Sequence, residues 1–61
     1  MKVSETRRKI VFVDNTTLTL VNVIEVDNTG SYLRITTKTD YYLINPAHVL
    51  YHEIDSKDKV F

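Results

Sequence analysis

His48 and His52 stand four residues apart, with Glu53 directly after the second. On a helix this spacing puts both imidazoles on one face, where they can share a metal ion. On a strand they also share a face, but about 13 Å apart at ~3.3 Å per residue, too far for one ion. No third or fourth ligand is spaced to complete a shell, so neither a metal nor any other cofactor is expected.

Nucleophilic catalysis needs a hydroxyl or thiol held beside an activating base. Cysteine is absent, and Ser4, Ser31 and Ser56 fall in the start, a turn and the tail of the chain. With a single glycine, Gly30, the chain has neither a nucleophile elbow nor a phosphate-cradling loop. Asp14, Asp27 and Asp40 each fall where a turn favours aspartate for backbone reasons. No pair of groups meets the criteria for acid–base chemistry, and the expected class is not an enzyme.

Binding is better supported by the residue pattern. Tyr32, Arg34, Thr36 and Lys38 alternate onto one strand face, an aromatic and two cations on a pleated surface. Small barrels use such faces to stack bases and track phosphates, and Arg7, Arg8 and Lys9 would extend the patch. A solvated strand face uses the same residue types. Eight Lys+Arg also balance eight Asp+Glu, so the chain lacks the positive field of a dedicated nucleic-acid binder. The competing expectation is a protein interface. Ile10-Val11-Phe12-Val13, Val21-Asn22-Val23-Ile24 and Tyr41-Tyr42-Leu43-Ile44 are apolar on both strand faces or nearly so. A thin sheet buries one face in its own core, and the surplus implies a second burial. Phe12, Tyr41, Tyr42 and Tyr51 are the residues expected to carry it, since aromatic residues are enriched at interfaces.

The elements that must position these side chains are strands. Period-2 alternation and β-branched residues dominate. Strands are expected at residues 8–13, 17–26, 31–38 and 41–44. Asp14-Asn15 would make a two-residue hairpin turn, Asp27-Asn28-Thr29-Gly30 the clearest turn, and Thr39-Asp40 a short one. In the second strand Leu18 and Leu20 share one face while Val21 and Val23 share the other, which predicts a bulge or sharp bend near Val21-Asn22. After Asn45-Pro46 two readings compete. Ala47, Leu50, Tyr51 and Ile54 match one face of a short C-terminal helix. The preferred reading is one helical turn at 46–48 and then a fifth strand over 49–54, which is how small SH3-like barrels close.

The fold class expected is therefore all-β: a four- to five-stranded antiparallel meander forming an SH3-like or Sm-like barrel, or a strongly bent sheet. Residues 1–61 make a single small domain, with 1–6 and 56–61 as frayed ends. A chain of 61 residues buries only roughly 60% of its unfolded surface, so its core is thin. No apolar stretch approaches the length of a membrane span, no signal peptide is legible, and a cysteine-free chain suits a reducing compartment. A cytoplasmic location away from membranes is expected. Asn15-Thr16-Thr17 matches a glycosylation sequon, a coincidence in that setting. The charge balance opposes self-association little. Together these features suggest a small protein-binding module, a homo-oligomer that docks on a larger bacterial or phage protein as a regulator or inhibitor. The alternative is a barrel that binds single-stranded nucleic acid.

Overall fold

The computed structural model describes residues 1–56. They form β1 (Lys2–Phe12), β2 (Thr17–Thr29), β3 (Tyr32–Thr37), β4 (Tyr41–Ile44), a 3₁₀ turn over Pro46–His48, and β5 (Val49–Ser56). All five strands pair antiparallel in one sheet, in the order β4-β3-β2-β1-β5. The first four strands follow a meander. The fifth returns to β1 instead of adding to β4. No pairing joins β4 to β5 among the described residues, so the sheet is not closed into a barrel. Closure requires hydrogen bonding between the end strands, and β4 has only four residues to offer.

The segment after Pro46 resolves to the strand reading. Asn45 Oδ1 accepts from the Ala47 N–H at 3.0 Å and caps a single 3₁₀ turn, after which Val49 resumes extended backbone. Pro46 supplies the fixed φ of a first helical position. Strand-favouring Val49, Tyr51 and Ile54 then override the helical spacing, because pairing with β1 satisfies their backbone.

Strand lengths depart from expectation in both directions. β1 starts at Lys2, so residues 2–6, expected as a frayed end, pair with β2 and β5 instead: Lys2 lies opposite Glu25, and Glu5 opposite both Val23 and Ser56. Ser56 ends β5, while residues 57–61 of the other expected frayed end lie outside the described residues. β2 runs on to Thr29, which pairs with Tyr32, so its hairpin turn shrinks to Gly30-Ser31. Gly30 has φ +67 while Ser31 keeps negative φ, the pattern of a two-residue II′ turn, whose twist matches the flanking strands. The β1–β2 connection is one residue longer than expected. Asn15 donates to Phe12 O and sits at φ 70, and Asp14 Oδ1 accepts from both the N–H and the hydroxyl of Thr16. This is a type I turn finished by a left-handed residue.

The phase change in β2 falls at Asn22, which holds φ 54. The register pairs on either side are Glu5–Val23 and Arg7–Val21, so Thr6 of β1 stands across from Asn22 and both strands change face there. Val23 thereby joins Leu20 inside, while Val21 points to solvent. The core consists of Ile10, Leu20, Val23, Ile35 and Ile44, ringed by half-buried Val3, Phe12, Leu18, Val26, Leu33, Tyr42 and Val49. Ile10 and Ile35 are fully buried. Five residues are a small core, as the chain length requires.

Candidate functional site

The bulge at Thr6 has a chemical consequence. Residues three apart on a regular strand face opposite ways, yet Glu5 and Arg8 meet on the core side of β1. Arg8 Nε and Nη2 donate to the two carboxylate oxygens of Glu5 at 2.7 and 2.6 Å, a bidentate pair with both side chains at most 10% exposed. Arg8 Nη1 lies 3.2 Å from His52 Nδ1 on β5. A guanidinium has no lone pair to offer, so Nδ1 must accept and the proton of the neutral ring sits on Nε2. Burial pushes the His52 pKa below the ordinary histidine range; the positive charge of Arg8 adds to this, and Glu5 opposes it. The cluster ties β5 to β1. It holds a buried charge pair in a thin core, and no buried side-chain polar atom among the described residues lacks a partner.

The opposite face of the sheet carries further charges as cross-strand pairs. Arg7 meets Asp55 at 2.8 Å, Lys9 meets Glu53 at 3.6 Å, and Arg34 meets Asp27 at 3.1 Å. The Asp27 carboxyl is held below the usual carboxylate range, first by a hydrogen bond from the Met1 ammonium and then by Arg34. Glu25, Arg34, Thr36, Tyr41 and Leu43 line an open groove of about 380 Å³ on this face, beside β4.

The residues singled out from the sequence divide accordingly. Of the nucleic-acid set, Arg8 is buried against Glu5, Arg7, Lys9 and Arg34 are each paired with an acid, and Tyr32 and Lys38 are exposed. Tyr32 and Arg34 lie on β3 while Arg7 and Lys9 lie on β1, with β2 between them. The cations do not form one continuous stripe. Of the interface set, Phe12 and Tyr42 are half-buried against the core, whereas Tyr41 is 66% and Tyr51 49% exposed. The two exposed tyrosines occupy opposite end strands. His48 lies in the 3₁₀ turn and His52 on β5. No group of three potential ligands close enough to hold a metal occurs among the described residues, and no helix there is long and apolar enough to cross a membrane.

Sequence reasoning missed three residues that matter. Glu5 was assigned to a frayed end, and nothing in its spacing to Arg8 announces a shared face until the bulge is known. Ile54 lies opposite Arg8 on the core side of β5 and Leu50 falls where the β1–β5 register shifts, yet they remain 44% and 57% exposed. Their apolar character was legible, but it was read as part of one face of an alternative helix. Comparison with known proteins found no matching family model, no similar curated protein and no similar solved structure.

Proposed function

We propose that this chain is a non-enzymatic protein-binding module that works as a homo-oligomer and docks on a larger bacterial or phage protein in the cytoplasm as a regulator or inhibitor. The observation that carries the reading is apolar surface left uncovered at both ends of the sheet. Tyr41 and Leu43 on β4, and Leu50, Tyr51 and Ile54 on β5, are all at least 44% exposed, and Val21 is 58% exposed between them. Scattered exposed apolar residues are ordinary, but two clusters on end strands mark surface suited to a partner. Formal net charge is zero, so like copies meet without net repulsion. We further read the sheet as an SH3-like module, supported by the return of β5 to β1 after a single 3₁₀ turn.

Nucleic-acid binding is the weaker reading, because most of the cations it would use are neutralised by a neighbouring acid. Sedimentation velocity at micromolar concentrations, with a parallel titration of single-stranded oligonucleotide at low and high salt, separates the two. The interface reading expects species heavier than one chain and no salt-sensitive oligonucleotide binding. A strict monomer that binds oligonucleotide would reverse the order.

A further inference from the structure

We propose that β5 is an acid-released strap: when His52 takes up a proton, β5 parts from the edge of β1 while β1 to β4 stay paired. The clasp is the contact of His52 Nδ1 with Arg8 Nη1 at 3.2 Å, which needs the lone pair on Nδ1. Arg8 cannot turn away, because Glu5 holds it by two hydrogen bonds and both residues are buried. The neutral ring already carries its proton on Nε2, so a second proton must go to Nδ1. It would set one N–H against another and place two positive charges side by side. Swinging the imidazole outward gives no relief, since Arg8 Nη1 then loses its acceptor in a buried place.

The rest of β5 is lightly held. None of its eight residues is buried, and it supplies none of the core cluster; Val49 alone of its apolar residues packs against that cluster. Among the described residues β1 is the one strand that packs extensively against β5. The charged groups that β1 brings to β5 are Glu5 and Arg8 on the His52 side, and Arg7 and Lys9 on the other face. Lys2 lies beyond the stretch that pairs with β5. Arg7 and Lys9 pair with Asp55 and Glu53 of β5, in contacts about half exposed to solvent, and ion pairs so placed contribute little. Ser56 adds a hydroxyl hydrogen bond to Ser4 O at 3.3 Å.

The direction of the effect follows from the same contact. Burial and then the Arg8 charge lower the His52 pKa, with Glu5 opposing, so the released strand binds the proton more readily than the docked one. Docking is strongest above the ordinary histidine value of about 6.5 and weakens as pH falls through it. The pivot is Leu50, where the β1–β5 register shifts. Just before it, the Val13 N–H holds the 3₁₀ turn through His48 O at 2.9 Å. Opening takes no residue out of the core cluster, so the other four strands keep theirs. A peripheral strand of this kind is where a fold opens at the lowest cost. It bares the backbone of β1 from Glu5 to Phe12, the sort of edge that takes up an extended strand.

The strap does not depend on the self-association proposed above, and its test is run on the full chain in dilute solution, where it sediments as single copies. Hydrogen exchange read by mass spectrometry, corrected for the intrinsic effect of pH, compares β5 with the β2–β3 hairpin from pH 7.5 to 5. Protection of β5 should fall by about tenfold over that range while the hairpin keeps its own. His52→Asn, whose side-chain oxygen can accept from Arg8 at any of these pH values, should abolish the fall. His48→Gln, which removes the other histidine, should leave it intact. Equal loss from the hairpin and β5 would mean that the chain opens as a whole, and would overturn the strap. So would unchanged protection of β5, or a fall that persists in His52→Asn. If His52→Asn does not fold, the wild-type comparison of β5 with the hairpin, together with His48→Gln, decides.

Discussion

The two end strands of this sheet reach opposite outcomes. On β4 the inward residues Tyr42 and Ile44 are taken into the core, while Tyr41 and Leu43 face out over the groove. On β5 the inward Ile54 remains open, and His52 two positions before it is bound to a buried arginine. The difference lies in what is across the sheet. β4 is drawn over the core by its pairing with β3, where Ile35 and Leu33 lie opposite Tyr42 and Ile44. β5 pairs with the part of β1 where Arg8 and Glu5 replace apolar residues, so the core ends there. One edge is anchored by apolar burial and the other by charge.

That contrast can be broken most strongly at the charged end. Arg8→Met leaves the Glu5 carboxylate buried without its partner and should cost about 3–5 kcal/mol. That is comparable to the whole stability of roughly 3–9 kcal/mol expected for 61 residues. Urea denaturation checks it, and adding Glu5→Leu to Arg8→Met should recover most of the loss, since a well-packed apolar pair often matches a buried ion pair. At the β4 end the strand is launched by Thr37, whose buried hydroxyl accepts from the Thr39 and Asp40 N–H groups and donates to Asp40 O. Thr37→Val should cost about 1–3 kcal/mol in the same assay, because those backbone groups lose their partner.

Acid should act on one edge and spare the other. The His52 pKa is lowered in the fold, so the unfolded chain binds the proton more readily. This contribution to stability is present above the unfolded histidine value of about 6.5 and is lost as pH falls through that value towards the lowered one. Stability measured from pH 7.5 down to 5 should decline, and His52→Gln should flatten that decline. The smallest effect belongs to the outer residues of β4. Tyr41→Ser and Leu43→Ser should change chain stability by no more than about 0.5 kcal/mol each, since both are more than half exposed. A larger loss would mean that they are covered in solution and that β4 is an interface.

How much of this was legible in the sequence follows from how local each signal is. The four-residue strand at 41–44, the change of phase near Val21-Asn22 and the break at Asn45-Pro46 rest on adjacent residues, and each lies where expected. Strand order and closure depend on contacts between β1 and β5 that are more than forty residues apart, as in the Arg8–His52 contact, and no local pattern encodes them. The candidate surface divided in the same way. Tyr41 and Tyr51 are exposed as an interface requires, but Phe12 and Tyr42, equally apolar and aromatic, were needed by the core. A residue type reveals an appetite for burial. Only the fold decides whether the chain itself satisfies it.

Amide hydrogen exchange followed residue by residue, over a dilution series of the wild-type chain, compares the two edges in one experiment. If a second copy covers an exposed apolar end of the sheet, the amides of the strand it covers exchange slowly in concentrated solution and faster on dilution. Exchange along both β4 and β5 that is independent of concentration would contradict the account.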